Sequence, residues 1–220
     1  MFQNWTSLTF LHWQYPPELI QSRLPAGLRL DTFAGEAWIG VTPFLLTGLR
    51  APYTPALPWI SIFPEMNVRT YVIGPDGERG IWFFTLEAAR LPAVIGARLT
   101  YGLPYHWAKM RFSRDGDEVS FLSRRHSGTG SLRAAIRAGQ NISTDLRAAF
   151  LTARFRLYSS IVGRLIAAQV DHPPWPLRSA EVSELEQNLL PALGFETPRE
   201  APLVHFSEGV AVRVGAPEKL

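Results

Sequence analysis

The sequence predicts an α+β fold that is mainly antiparallel β-sheet, closed as a β-barrel or cone, with a few short helices at its periphery. Short apolar or alternating segments are separated by compact turn signals, and the clearest hairpin turns are 74–80 and 115–117. No repeated strand–helix–strand rhythm indicates a parallel sheet. The 13 Phe, 7 Trp, 18 Pro and 17 Gly suit many short strands joined by turns. The length of 220 residues fits one domain, residues 1–220.

The first half of the chain is predicted to contain five strands and two helices. Residues 5–13 are aromatic and loosely alternating, which suits a first strand or an extended arm. Pro17 suits the first turn of a helix, and the turn 34–36 joins its flanking strands into a hairpin. Three prolines in 52–58 predict a loop, because proline cannot pair within a central strand. The predicted strands are 5–13, 28–33, 37–46, 65–73 and 81–88, and the predicted helices are 17–24 and 91–99.

The second half continues the hairpin pattern and contains two ambiguous segments. Residues 131–137 suit a strand or a helix, and 155–158 either extend the preceding helix or begin a strand. Asp145 closes an N-cap signal for a helix over 145–152. Residues 184–190 are predicted as a short helix that Pro191 stops. The predicted strands are 105–112, 119–125, 164–170 and 203–214, the last as one or two strands.

The composition disfavours several classes of function. The formal net charge is +3, but it comes from scattered arginines, and no basic run interleaved with aromatic residues predicts a nucleic-acid partner. No apolar window reaches 18 residues and the N-terminus lacks a signal-peptide pattern, so we expect a cytoplasmic protein with no membrane partner. Cysteine is absent, which removes disulfides and thiolate ligands. The five histidines lack metal-ligand spacing and there is no glycine-rich phosphate loop, so we expect no metal and no cofactor.

Residues 63–72 carry the most informative polar pattern. As a strand, they place Glu65, Asn67, Arg69 and Tyr71 on one face. If that face lines a cavity, Arg69 suits a ligand carboxylate and Glu65 suits proton transfer, provided that burial raises its pKa. Their backbones are about 13 Å apart along a strand, so both can contact one small ligand. The alternative is a surface or structural ion pair with cross-strand partners, and the strand pattern alone does not decide between them.

The predicted strand 105–112 carries further chemical candidates on two opposite faces. Tyr105 and Lys109 share one face, and a lysine beside an apolar ring and a second cation can form a Schiff base. We favour a solvent-exposed Lys109, because lysine is almost never fully buried. His106 lies on the opposite face as a candidate acid or base, so a regular strand cannot direct both His106 and Lys109 into one cavity.

Three more residues are weaker candidates for ligand binding. His12 lies beside Trp13, where the alternative is a core histidine with satisfied hydrogen bonds. Arg154 and Tyr158 are four residues apart, so on a helix they face the same way and either bind an anion or support a loop.

Motifs distributed along most of the chain are similar to those of one family. They are LTFLHW at 8–13, DTFAGEAWIG at 31–40, FPEMNVRTYV at 63–72, GIWFFTL at 80–86, LPY at 103–105 and FLTARF at 150–155. Through these motifs the chain resembles the DUF2071 (YqjF-like) family, which is grouped with the acetoacetate decarboxylase-like superfamily.

The resemblance implies a β-barrel or cone-shaped fold with an internal cavity. In acetoacetate decarboxylase, a lysine that follows a Gly-x-Pro turn forms a Schiff base with the keto acid. The similar turn here is 102–104, and the residue that follows is Tyr105, so the lysine is missing at that position. Lys109 can replace it only if the cavity extends four residues further. Glu65 is similar to the glutamate in the cavity of the decarboxylase.

These observations predict a cavity that binds a small anionic or carbonyl-containing metabolite. One hypothesis is a cofactor-independent lyase or proton-transfer enzyme, in which Glu65 moves the proton and Arg69 holds the ligand. Tyr105 or His106 would assist, and Asn67 and Tyr71 would add ligand contacts. The alternative is a non-catalytic small-molecule binding or sensor protein on the same barrel. A homo-oligomer is left open.

Overall fold

The computed structural model describes every residue from Met1 to Leu220 and joins all 13 strands into one sheet. The elements in chain order are β1 (Phe2–Tyr15), α1 (Pro17–Gln21), β2 (Arg29–Leu30), β3 (Ala37–Arg50), β4 (Phe63–Ile73), β5 (Arg79–Ala88), α2 (Leu91–Tyr101), β6 (Tyr105–Asp115), β7 (Glu118–Arg125), β8 (Ser131–Asn141), α3 (Leu146–Thr152), β9 (Arg156–Ile161), β10 (Arg164–Asp171), β11 (Leu177–Gln187), α4 (Leu189–Ala192), β12 (Leu203–Val214) and β13 (Glu218–Lys219).

The sheet closes on itself twice. Pairing of β4 with β5 closes a ring of nine strands in the order β5-β6-β7-β8-β11-β12-β1-β3-β4. Strands β9 and β10 connect β5 to β12 by a second route, which closes a ring of seven strands in the order β5-β9-β10-β12-β1-β3-β4. The five strands β12, β1, β3, β4 and β5 therefore belong to both rings.

Each face of a shared strand packs into a different interior. On β4, Met66 and Val68 pack in the core of the nine-strand ring with residues of β7 and β8. Tyr71, on the other face, packs with residues of β9, β10 and α3 in the seven-strand ring. Burial on both faces explains why the shared strands are rich in apolar side chains on both sides of the pleat.

The predicted fold class is confirmed, because most strand pairs are antiparallel and the helices are short. The predicted helix over 145–152 forms as α3, and the Asp145 carboxylate accepts a hydrogen bond from the Ala148 N–H at 2.7 Å. The two ambiguous segments are strands, β8 and β9. Two pairs are parallel, β5 with β6 and β5 with β9, and α2 provides the crossover between β5 and β6.

Two predictions of local structure are wrong. Residues 184–190 are not one helix: β11 runs to Gln187, and Pro191 lies inside the short helix α4 rather than after a helix. Antiparallel pairing with β8 overrides the local helix propensity there. Residues 28–33 and 37–46 do not pair as a hairpin, since β3 has β1 and β4 on its two sides. The two-residue β2 pairs with β4 instead.

None of the four helices combines the length and apolarity that crossing a bilayer requires. The longest helix, α2, has 11 residues.

Candidate functional site

The seven-strand ring encloses a cavity of about 390 Å³. Twenty of its 30 lining residues are hydrophobic, so the wall is largely apolar. Strands β4, β5, β9, β10 and β12 contribute side chains to the wall, and α2 and the loop 51–62 cover one end. Several residues that line this end are themselves exposed, including Thr54, Leu57, Pro92 and Gly96. The cavity therefore opens to the surface between the loop and α2.

The pleat of β4 directs its polar face into the seven-strand ring. β4 pairs with β3 and β5 on its two sides, which fixes its register, and alternate side chains must then point to opposite interiors. Glu65 and Asn67 line the cavity, and each is only 5% exposed. The polar row of β4 is therefore buried, although only its first two members reach the cavity wall.

Glu65 is the one acidic residue on the cavity wall, and Tyr105 holds it. The Tyr105 hydroxyl donates a hydrogen bond to Glu65 Oε1 at 2.7 Å. Burial raises the pKa of Glu65 to about 8, against the opposing effect of the Tyr105 hydrogen bond. The same burial and the nearby carboxylate hold the pKa of Tyr105 well above its usual range. Near neutral pH, Glu65 is therefore mainly a neutral acid and Tyr105 a neutral phenol.

The hydrogen-bond pattern places the proton of neutral Glu65 on Oε2. Oε1 already accepts the only proton of the Tyr105 hydroxyl, so the carboxyl proton belongs on the other oxygen. The neighbouring Asn67 has a buried Oδ1 atom with no hydrogen-bond partner. The cavity wall thus offers an acid O–H and a carboxamide side by side in an apolar enclosure.

Arg69 and Tyr71 continue the polar row outside the cavity lining, beneath α3. The Tyr71 hydroxyl donates to the backbone oxygen of Leu151 at 2.7 Å, and Arg69 Nη2 donates to the same oxygen at 3.3 Å. Arg69 is 5% exposed, has no carboxylate within 4 Å and leaves its Nε without a partner. The Phe10 ring lies 5.5 Å from its guanidinium carbon. Arg69 is therefore a buried cation without an ionic partner.

His12 joins this group of residues as a neutral imidazole. Its Nε2 lies 2.7 Å from the Tyr71 oxygen. Tyr71 gives its proton to Leu151, so Nε2 carries the hydrogen of His12 and donates it, which leaves the buried Nδ1 unpaired. Burial, followed by the nearby Arg69 charge, holds the pKa of His12 well below its usual range.

Arg154 and Tyr158 do not share a helix face, because α3 ends at Thr152 and Tyr158 lies in β9. Arg154 Nη1 donates to Asp31 Oδ2 at 2.8 Å, and both side chains are buried. The Tyr158 hydroxyl donates to Asp76 Oδ1 at 2.7 Å. Both residues therefore have structural partners, and neither lines the cavity.

Of the candidates on β6, only Tyr105 points into the cavity. β6 pairs with β5 only over its first residues and afterwards pairs only with β7. The later side chains on the same face as Tyr105 therefore point into solvent. Lys109, on that face, is exposed and lies away from the cavity, which contradicts a Schiff-base role for it. His106 is half-buried on the opposite face, opposite Glu87, and burial lowers its pKa. His106 therefore does not reach the cavity either.

A buried ion pair close to the site was not predicted from the sequence. Arg125 Nη2 contacts Glu87 Oε1 at 2.5 Å, and the Glu87 side chain is fully buried. The negative charge of Glu87 contributes to the raised pKa of Glu65. A carboxylate within the otherwise apolar strand 81–88 was the available signal. The loop over 52–58 and the helix over 91–99 were predicted, but their covering of the cavity was not, because they contribute mainly small and apolar side chains.

Comparison with known proteins supports a single relationship. The DUF2071 family model, described as an uncharacterized conserved protein, matches residues 2–211. The chain belongs to the DUF2071 family. A DUF2071 relative, the uncharacterized protein YqjF of Bacillus subtilis strain 168, is 37% identical over 212 residues, which cover 94% of this chain and 87% of YqjF.

Solved structures share the fold of this DUF2071 chain at low sequence identity. The enduracididine biosynthesis enzyme MppR in complex with pyruvate has a TM-score of 0.71 at 12% identity, over 99% of this chain and 89% of MppR. An acetoacetate decarboxylase-like enzyme from Sphingomonas wittichii RW1 has a TM-score of 0.69 at 15% identity, over 100% and 92%. Acetoacetate decarboxylase from Legionella pneumophila has a TM-score of 0.64 at 14% identity, over 99% and 87%. The chain therefore has an acetoacetate decarboxylase-like fold.

Proposed function

We propose that this protein binds a small carbonyl-bearing metabolite in the 390 Å³ cavity and that Glu65 exchanges a proton with it. The observation that carries the proposal is the buried Glu65 carboxyl, with a pKa of about 8, held by Tyr105 on an apolar wall. A group with a pKa close to the working pH can both donate and accept a proton. The reaction class is proton transfer at a carbon next to a carbonyl group, including lyase reactions that pass through the same enol.

The carbonyl oxygen is the part of the ligand that this site recognises. The O–H of neutral Glu65 can donate to it, and the Asn67 side-chain N–H can donate a second hydrogen bond. Ionised Glu65, roughly a tenth of the molecules at neutral pH for a pKa of about 8, can remove the proton from the neighbouring carbon. Tyr105 keeps the carboxyl in place throughout, because its hydroxyl stays bonded to Oε1.

The buried Arg69 supports the inference that the ligand carries an anionic group. A buried guanidinium without a carboxylate partner is costly, and a ligand carboxylate that displaces the Leu151 carbonyl from Arg69, beyond the end of the cavity, would neutralise it. The likeness to MppR with pyruvate is consistent with a 2-oxo acid. Neither lysine of the chain lines the cavity, so the proposed chemistry uses no lysine Schiff base.

The test follows proton exchange and binding with pyruvate as the probe. In D₂O, ¹H NMR would report loss of the pyruvate methyl signal if Glu65 removes a proton from that carbon. The wild type should accelerate this exchange, and Glu65→Gln should abolish the acceleration. The matched control is Glu186→Gln, which changes an exposed glutamate that has no ion-pair partner. Equal acceleration by Glu65→Gln would refute the role of Glu65.

The second candidate function is a non-catalytic small-molecule binding or sensor protein with the same cavity. The mainly apolar wall favours it as much as it favours an enzyme. Binding of pyruvate, measured by calorimetry, without any acceleration of exchange would select this alternative. In that case Glu65→Gln would change the affinity only. If pyruvate neither binds nor exchanges, the same two measurements are made with the uncharged 2,3-butanedione. Binding or exchange of this diketone would show that the site accepts a carbonyl compound without a carboxylate.

A further inference from the structure

The surface around the cavity mouth carries a concentration of exposed apolar side chains. We call these side chains in 51–62, 91–99 and 161–162 the apolar rim. The loop contributes Tyr53, Leu57 and Trp59, and α2 contributes Leu91, Ile95 and Leu99. Leu91, Ile95 and Leu99 are four residues apart and therefore form one stripe along the helix. Leu99 is 76% exposed, although it is a large aliphatic residue. Monomeric proteins rarely leave such a patch without a binding partner.

Packing at both ends of α2 makes the apolar rim one surface. Arg90 Nε donates to the backbone oxygen of Trp59 at 2.9 Å, and its guanidinium carbon lies 4.9 Å from the centre of the Trp59 ring. This ties the loop to the beginning of α2. At its other end, α2 stops at Gly102, where a Cβ atom would lie 2.5 Å from Ile161 Cγ1. The turn after β9 therefore adjoins the C-terminus of α2.

That turn shows an apolar residue in an unfavourable backbone conformation. Val162 has a φ of 50° and is 97% exposed. A positive φ is a real outlier for a β-branched residue, and turns of this kind favour Asn, Asp or Gly. Because the side chain packs against nothing within the chain, its contribution to folding does not explain its presence. An apolar contact outside the chain would explain it.

The side-chain charges of the three chain segments that form this surface are all of one sign. Residues 50–62, 90–104 and 159–165 contain four arginines, namely Arg50, Arg90, Arg98 and Arg164, and no Asp, Glu or Lys. A second copy of the chain placed on the apolar rim would bring the arginines of these segments against one another, and the segments contain no acid to pair with them, so this partner is disfavoured. An apolar surface with aromatic residues and surrounding arginines instead matches a bilayer interface with anionic headgroups.

We propose that the apolar rim docks on an anionic phospholipid surface, with the cavity mouth facing the lipid. Trp59 and the α2 stripe would lie at the level of the headgroups, and the arginines would contact lipid phosphates. The apolar wall of the cavity continues from this surface, since Leu57 belongs both to the rim and to the cavity lining. This departs from the sequence-based expectation of no membrane partner, which rested on the lack of a spanning segment. Peripheral docking needs no such segment.

The test is flotation of the full-length protein with lipid vesicles. Vesicles of phosphatidylcholine containing roughly one third phosphatidylglycerol should carry the wild type, and pure phosphatidylcholine should carry much less. Raising the salt concentration should weaken the binding to anionic vesicles. Leu99→Glu should lower the partition coefficient about tenfold or more, because it removes an inserted side chain and adds a like charge.

The control is Leu146→Glu, which changes a leucine that is 82% exposed on α3, away from the apolar rim. It should bind vesicles as the wild type does, and circular dichroism melting would show that both variants remain folded. Absence of wild-type flotation, or equal flotation of Leu99→Glu and wild type, would overturn the proposal. So would sedimentation showing a dimer that Leu99→Glu dissociates, because the rim would then be a self-interface. Glu65→Gln should still float, which separates this proposal from the function proposed for the cavity.

Discussion

Replacing Glu65 by Gln should change how the stability of the protein depends on pH. The folded-state pKa of Glu65 is about 8 and the ordinary value is 4.5, because burial favours the neutral carboxyl. Folding therefore keeps a proton that the unfolded chain releases. The stability that this proton confers is fully present below a pH of about 4.5 and is lost progressively as the pH rises to about 8. The loss amounts to about 5 kcal/mol, at about 1.4 kcal/mol for each pKa unit.

Gln keeps the shape and the acceptor for Tyr105 but cannot ionise. Glu65→Gln should therefore match the wild type within about 1 kcal/mol near pH 5 and exceed its free energy of unfolding by several kcal/mol near pH 9. Urea denaturation followed by circular dichroism at both pH values measures this difference. For Glu186→Gln, on the exposed face of β11, the free energy of unfolding should change with pH as it does for the wild type. If the free energy of unfolding of Glu65→Gln also follows that of the wild type at both pH values, the Glu65 carboxyl ionises as it does in water. That result would refute the raised pKa of Glu65.

Three other substitutions test the surrounding structure by the same denaturation assay. Tyr105→Phe removes the donor to Glu65 Oε1, so the pKa of Glu65 should rise further and the loss of stability should shift to higher pH, with a general cost of about 1 kcal/mol. Asp31→Asn leaves Arg154 buried without an ionic partner and should cost about 3 kcal/mol or more. Arg69→Met should leave stability unchanged or raise it by about 1–4 kcal/mol, while pyruvate binding, measured by calorimetry, is lost.

Each of these predictions has a result that contradicts it. For the ion pair, Glu118→Gln removes an exposed partner of Arg137 and should cost less than about 1 kcal/mol, so equal costs for Asp31→Asn and Glu118→Gln would contradict the role of burial. For Arg69→Met, a large loss of stability would show that the guanidinium is well paired in the folded protein. For Tyr105→Phe, an unchanged pH profile would show that the hydrogen bond to Glu65 is not formed.

The fold class and most strands could be predicted from the sequence, because they depend on local signals. The turns 74–80 and 115–117 and the alternation around Glu65 are readable within ten residues. The wrong helix over 184–190 has a different origin: β11 is only half-buried and its conformation is set by β8, which precedes it by about 50 residues. Closure of two rings is likewise a long-range property, because β9 and β10 reach β5 and β12 across the chain.

The residue types of the candidate site could be predicted from the sequence, but how many of these residues line the cavity could not. Alternation alone gave one face to Glu65, Asn67, Arg69 and Tyr71. It could not show that the cavity ends after Asn67, since α3 covers the rest of the row through the Leu151 carbonyl. Lys109 and Tyr105 share a strand face in the same way, yet only one of them meets the cavity, because β6 leaves the shared wall after its pairing with β5.

The two-ring architecture explains why a polar row persists in the interior. A one-residue slip of β4 would turn Met66 and Val68 into the cavity and place Glu65 and Asn67 in the apolar core of the nine-strand ring, so the register is strongly specified. The buried polar row nevertheless destabilises the folded protein. Asn67 Oδ1, Arg69 Nε and His12 Nδ1 are all buried without partners, and each such atom costs about 1–3 kcal/mol.

Stability alone does not account for that cost, because apolar side chains in the same positions would fill the ring without it. Of these unpaired atoms only Arg69 Nε is a donor, and a ligand carboxylate that displaces the Leu151 carbonyl from Arg69 can pair with it. The carbonyl of such a ligand can accept from Glu65, whose pKa is about 8, in the adjoining cavity. The same ligand would lower the energy of the folded state by mass action. Saturating pyruvate should therefore raise the melting temperature of the wild type and leave that of Arg69→Met unchanged. An equal rise in both would place the carboxylate elsewhere and remove Arg69 from the site.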